Sequence, residues 1–342
     1  MMMGSHSSRD RFVAAINGEP VDRVPIGPPF QGYWALQQAG VPVRTSIDKP
    51  QLAASAQLNA VERCAFDGFE TMWDWLAPVE AVGCTVDMPD VGNPSTATHV
   101  VTSPSVLDSL EVPDPEKDYR LQSAMHTTSI IRNKLGSDKF LYTTLVSPFT
   151  LVGELRGVEN LMLDMYDEPD FVHDMLSFAE DVVVRYSEYL TSWGVDGVIL
   201  CDPTASADLI SKVDFETFSK HYLKAPIKAI RDADAYVLLH ICGNTSDRLD
   251  TIGELDIDVF SLDFLVDLAY AKETLGDSPT LLGNVNPAET LFNGTAEQVV
   301  REAQACIQKT DGKAFVLGAG CDIAPGSPME NVEALKTVVA RK

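Results

Sequence analysis

The sequence predicts an α/β protein, a closed (β/α)8 barrel, from three observations. Short apolar runs alternate with longer stretches of helical periodicity through most of the chain, the pattern left by parallel strands joined through crossover helices. Eight such runs fall within 342 residues, a length that suits eight βα units. No G-x-G-x-x-G turn follows any run, which removes the usual dinucleotide signature of a doubly wound open sheet, the runner-up architecture. No repeat, low-complexity segment or linker divides the chain. Residues 1–342 are therefore expected to form a single domain: a TIM barrel with an N-terminal helical extension and a lid-like excursion around 86–118.

The elements follow in order. Ser8 is placed to cap a helix that carries Phe12, Val13 and Ile16 on one face and stops at Gly18. Val24 to Phe30 reads as a short strand bounded by prolines. Pro50 suits the first turn of a helix reaching Cys64. Gly68 to Asp74 is the second strand, and the Pro- and Asp-rich text from Val86 to Asp118 forms the excursion. A helix from Tyr119 to Leu135, closed by Gly136, leads to the third strand, Phe140 to Phe149. Helices run through Met165 and from Glu168 to Trp193, and then the alternation is regular. Strands are expected at Val195–Pro203, Tyr236–Gly243, Val259–Phe264, Thr280–Pro287 and Ala314–Asp322. The helices between and after them are Phe215–Ala233, Ser246–Leu255, Asp267–Leu275, Thr295–Thr310 and Met329–Ala340.

Composition narrows the function classes. The net charge of −24, from 26 Lys+Arg against 50 Asp+Glu, repels phosphate backbones and argues against nucleic-acid binding. It also disfavours a polyanionic substrate unless Arg side chains gather locally. No apolar run approaches the roughly 18 residues of a membrane span, and Met1 to Arg11 carries no hydrophobic signal core, so a cytoplasmic location without membrane association is expected. Six cysteines in a chain of this length do not read as a disulfide framework. In a reducing compartment, clustered Cys more often bind metal or do chemistry.

Catalytic groups of a (β/α)8 barrel gather at the C-terminal ends of the strands. Those ends carry Asp74, Asp202, His240 with Cys242, Asp263, Asn286 and Cys321. Residues i and i+2 of a strand face one side, so His240 and Cys242 aim an imidazole and a thiol at one point, just before Gly243 breaks the strand. Barrel closure brings Cys321, on the last strand, to the same mouth. His240, Cys242 and Cys321 then form a three-ligand zinc site with one open position, the mark of a catalytic rather than a structural zinc. The competing readings are plain ones. A buried Cys is usually a small hydrophobe, and Cys64, Cys84, Cys201 and Cys306 are read that way. Asp202 and Asp263 also suit helix capping, and Trp73 and Trp75 suit packing beneath the lid. The other five His, on helices, loops or the tail, carry no signal. Two thiolates make a zinc ion a poor activator of water but suit it to hold a substrate thiol as thiolate, a strong nucleophile toward an activated methyl group. Asp263 or another rim carboxylate is placed to fill the vacant position in the resting state.

Several stretches together resemble the uroporphyrinogen decarboxylase superfamily. They are Asn17-Gly18-Glu19-Pro20-Val21-Asp22-Arg23-Val24-Pro25, Asp74 with Glu80-Ala81-Val82-Gly83, His240-Ile241-Cys242-Gly243-Asn244, and Cys321 followed by Pro328-Met329-Glu330-Asn331-Val332. The resemblance spans Arg9 to the C-terminus. Within the superfamily the chain is similar to the zinc-dependent corrinoid methyltransferases of the methylcobamide:coenzyme M type. That implies a (β/α)8 barrel, Zn2+ on His240, Cys242 and Cys321, and a corrinoid (methylcobalamin) carried by a partner protein. It also implies a small thiol, or a methylated or methoxylated donor or tetrahydrofolate, as the other substrate. Asp74, Asp202, Asp263 and Asn286 are the expected catalytic neighbours, and a homodimer is a further expected assembly. The decarboxylase itself fits less well. Its octacarboxylate substrate is held by an Arg pair after the first strand, whereas no Arg stands between Arg23 and Arg44, and its L-G-H-G reads Leu317-Gly318-Ala319-Gly320 here. A zinc- or corrinoid-binding accessory protein without catalysis is the non-enzyme alternative.

Overall fold

The computed structural model describes residues 6–71 and 74–340; the expectation for Trp73 lies outside them. Among the described residues nine strands form two sheets. In chain order they are β1 (Gly68–Glu70), β2 (Thr85–Asp87), β3 (Ser95–Thr98), β4 (Phe140–Val146), β5 (Gly197–Cys201), β6 (Tyr236–Ile241), β7 (Val259–Leu262), β8 (Thr280–Val285) and β9 (Phe315–Ala319). Seven of these make one sheet in the order β1-β4-β5-β6-β7-β8-β9, and every pairing in it is parallel.

The first expected strand, Val24 to Phe30, is reduced to one parallel bridge between Ile26 and Leu317. That bridge closes the sheet. Gly27 N donates to Leu317 O (3.0 Å) and Leu317 N to Pro25 O (2.9 Å), while Asp67 N donates to Ile26 O on the other side (2.7 Å). The proline-rich text explains the brevity: Pro25, Pro28 and Pro29 lack the N–H groups a longer ladder would need.

The barrel interior is layered. Phe140, Tyr142, Ile199, Leu238, Val259, Leu282 and Val316 form one buried apolar cluster with Phe12 of the N-terminal helix Ser8–Ile16. Phe12 stacks on Phe140 with ring centroids 4.5 Å apart. A side chain added at Gly68 would meet the Phe12 ring at 2.6 Å, so this helix plugs the N-terminal end of the barrel. Its N-cap is Ser7, not Ser8. Two residues further along each strand, on the same inward face, stand Thr144, Cys201, His240, Ser261 and Asn284. The apolar floor thus gives way to a polar layer at the C-terminal mouth. A larger cluster between sheet and helices includes Leu141, Leu200, Leu239, Phe260, Leu281 and Phe315, the residues of opposite parity.

The helices Pro50–Cys64, Tyr119–Leu135 and Met329–Val339 lie where the pattern placed them. The expected helix Ser246–Leu255 shortens to Leu249–Ile252, and Phe215–Lys220 is a π-helical turn before the α-helix His221–Asp232. The excursion holds the hairpin β2–β3, a turn of helix at Pro104–Leu107 and a 3-10 turn at Pro115–Lys117. No helix of the described residues is long and apolar enough to cross a membrane.

Candidate metal centre

His240 is the penultimate residue of β6 and is 1% exposed. Its Nδ1 lies 3.1 Å from the carbonyl oxygen of Ser261 and 2.9 Å from that residue's Oγ. A carbonyl only accepts, so Nδ1 carries the proton and donates it to β7, leaving the Nε2 lone pair free to point into the mouth. Cys242 Sγ lies 2.9 Å from Nε2, Cys321 Sγ 3.1 Å from Cys242 Sγ, and Cys321 Sγ 3.6 Å from Nε2.

These three atoms are the metal-competent cluster found among the described residues. Tetrahedral zinc, with bonds of about 2.0–2.1 Å to N and 2.3 Å to S, sets such atoms about 3.4–3.8 Å apart. One edge of the triangle meets that span and two are shorter. Both thiols are half-buried and neither is in a disulfide. The Cys242 thiol and the His240 ring hold the Cys321 thiol well below its ordinary value, while the same contact pushes Cys242 up. Two thiols and an oriented imidazole converging on one point are a donor set that fits a zinc ion.

The strand-end carboxylates stand elsewhere than expected in detail. β1 ends at Glu70, not Asp74. Asp74 is buried against Arg120, which also pairs with Glu80 (2.6 Å), and it accepts from Leu76 N (3.1 Å). Asp202 is fully buried and accepts from Thr150 Oγ1 (2.8 Å) and Ser219 Oγ (2.5 Å). Burial pushes its carboxyl up against those hydrogen bonds. Asn286 caps the helical turn Pro287–Phe292, accepting from Ala288 N and Glu289 N at 3.0 and 2.9 Å. Asp263, directly after β7, accepts from Leu265 N (2.9 Å). Burial pushes its carboxyl up, against the opposing pull of the Leu265 and Gly243 backbone.

The three expected ligands open on a cavity of about 180 Å³, lined also by Phe30, Tyr33, Glu70, Trp75, Asn93 and Asp322. Sequence reasoning missed Glu70 and Asp322. Glu70 accepts from Thr144 Oγ1 (2.5 Å) and Gln31 N (3.2 Å), and burial pushes its carboxyl up to about 8. Asp322 accepts from Asn93 Nδ2 (3.0 Å), and burial pushes it up to about 7. Each was visible as an acid at or beside a strand end, but neither lies within a ligand pattern. Asn93 brings the excursion to the mouth, as a lid requires.

The sequence profile described as uroporphyrinogen decarboxylase (URO-D) matches residues 7–341. A methylated-thiol–coenzyme M methyltransferase of Methanosarcina mazei is 28% identical over 339 residues, covering 97% of this chain and 89% of that protein. The methylcobamide:CoM methyltransferase MtaA of Methanosarcina barkeri is 27% identical over 339 residues, 97% of each chain. Among solved structures, a methyltransferase from Methanosarcina mazei superposes with a TM-score of 0.89 at 28% identity, over 97% of this chain and 98% of that one.

Proposed function

The chain belongs to the uroporphyrinogen decarboxylase family, and from that premise we propose that it is a methyltransferase moving a methyl group from a corrinoid carried by a partner protein to a small thiol. The observation that carries this reading is the His240–Cys242–Cys321 triangle at the open mouth of the barrel. The full-length similarity to methylcobamide:CoM methyltransferases supports the corrinoid half of the reaction. Zinc held by these three residues would keep the substrate thiol as thiolate near neutral pH. In the transfer the S–C bond forms as the Co–C bond breaks with both its electrons remaining on cobalt, and the thiol proton goes to solvent.

The chain's own residues set up that step. Ser261 fixes the ring of His240, Asp263 stands beside Gly243 of the Cys242 loop, and Phe30 packs edge-on against the imidazole at 5.0 Å. We assign Asp263 a positioning role. Asp74, Asp202 and Asn286 also position: their side-chain oxygens are engaged by the protein's own donors. Phe30, Tyr33 and Trp75 narrow the mouth and exclude water from the nucleophile. Six cysteines with no disulfide among them are in keeping with a cytoplasmic enzyme. The decarboxylase reading is disfavoured because no Lys or Arg lines the cavity among the described residues, leaving a polycarboxylate without a counter-charge.

The test is demethylation of methylcobalamin by the zinc-loaded protein, screened with thiols and tetrahydrofolate and followed by cobalamin absorbance. Turnover that requires both zinc and a thiol supports the reading. Full activity in a metal-free preparation sinks it.

A further inference from the structure

The cavity beside the metal ligands has a charge pattern that bears on what it accepts. Two carboxylates line it, Glu70 and Asp322, and among the described residues no Lys or Arg does. Asp322 engages Asn93 through Oδ2 (3.0 Å), while its buried Oδ1 has no hydrogen-bond partner. The Tyr33 side chain, 9% exposed and on the same wall, keeps a buried hydroxyl that likewise has no partner. Phe30 and Trp75 supply further aromatic surface. The Arg120 guanidinium acts on Tyr33 electrostatically, but its charge is matched by Asp74 and Glu80.

The unpartnered Asp322 Oδ1 calls for a donor, and carboxyl groups joined by aromatic rings form a surface that attracts a cation. An ammonium group would draw the two carboxyls into their ionised form, whereas an anion in the same space would meet them with no Lys or Arg to compensate it. The methyltransferase relatives are named for coenzyme M, a thiol that carries a sulfonate at its far end. This cavity is built for the opposite charge.

We propose that the thiol accepted by this chain is short and bears an ammonium group, which Glu70, Asp322 and the Tyr33 hydroxyl receive while the sulfur faces His240, Cys242 and Cys321. The inference rests on the thiol-transfer reading for the sulfur end and, for the nitrogen end, on the cavity's two carboxyl groups and its lack of a lining Lys or Arg among the described residues. It names the substrate class: aminothiols rather than sulfonated thiols.

The experiment compares 2-mercaptoethylamine, 2-mercaptoethanol and 2-mercaptoethanesulfonate, which differ only in the terminal group. Binding to the zinc-loaded protein is measured by calorimetry, and turnover with methylcobalamin by absorbance. The expected result is that the ammonium thiol binds at least about tenfold more tightly than the sulfonate, because each charge–charge contact near 4 Å is worth several-fold or more even at a high effective dielectric. The near-isosteric Glu70→Gln and Asp322→Asn variants should each shrink that ratio. Equal binding of the three thiols, tighter binding of the sulfonate, or a ratio unmoved in both folded variants overturns the inference. The wild-type comparison decides even if the variants fail to fold. Turnover judges the other reading separately: a sulfonate thiol turned over best leaves thiol transfer standing and removes the ammonium preference. Ammonium-selective binding without turnover of any thiol keeps the cation subsite and removes thiol transfer.

Discussion

Ser261 illustrates how much of the centre rests on one residue that never enters the cavity. Its carbonyl and hydroxyl both face His240 Nδ1, which leaves Nε2 as the nitrogen that faces Cys242 and Cys321. Loss of such a partner typically costs about 10–100-fold in metal affinity. Ser261→Ala keeps the carbonyl, so a loss near tenfold is expected, measured by zinc competition with a chromogenic chelator. Cys321→Ser, by contrast, removes a ligand outright: zinc content should fall well below one per chain and methyl exchange with methylcobalamin should vanish. Glu70 gives a pH signature. Its carboxyl is raised from 4.5 to about 8, so between those values the folded chain holds a proton that the unfolded chain has released. The stability it contributes is full below the lower value and declines as pH rises toward the upper one, by at most about 1.4 kcal/mol per unit. Denaturant midpoints measured across that window should flatten in Glu70→Gln.

Among the elements, the site depends on where strands stop. β6 and β7 run in register so that His240 stands beside Ser261, and β9 must end close to β7 for Cys321 to reach the same point. Gly320 makes that approach possible: a Cβ there would meet Phe264 N at 2.6 Å, a backbone atom that cannot swing aside. Gly320→Ala should therefore displace Cys321 and lower zinc occupancy at little cost to secondary structure, checked by metal analysis alongside circular dichroism. The strand-end rule found His240, Cys242 and Cys321 because parity along a strand is written locally. It misplaced the end of β1, because the apolar Met72 and Trp73 prolong the strand-like pattern in the sequence while the parallel pairing stops at Glu70. The residue at that true end, Glu70, is the one that lines the cavity.

The barrel as a whole closes through a single narrow seam. Asp67, fully buried, accepts from Ile26 N (2.9 Å), Arg23 Nη1 (2.7 Å) and Arg11 Nη1 (2.7 Å). It thus ties the bridge strand, β1 and the plugging helix together at the end of the barrel opposite the site. Removing one partner of a buried ion network costs about 3–5 kcal/mol, since the others are left uncompensated. Asp67→Ala should lower stability by that order in urea unfolding. The metal triangle lies at the other mouth, so folded Asp67→Ala should still take up zinc. The seam is tight at Gly318 as well, where a Cβ would fall only 2.5 Å from Gly27 O, so the two backbones can approach there only because that residue has no side chain.

Whatever repeats locally was legible along the chain: the alternation of strands and helices, the inward parity of His240 and Cys242, and the Gly and Pro positions that stop elements. Those features follow from backbone sterics and side-chain period, and they carry the fold and the His240–Cys242–Cys321 cluster. Which acids line the cavity was settled by packing alone. Asp74, Asp202 and Asn286 meet donors from their own surroundings, whereas Glu70 and Asp322 reach the cavity. The reason is physical: a carboxylate's role depends on the donors and cations that folding brings to it across distant stretches of chain, and the order of residues along one strand does not record them.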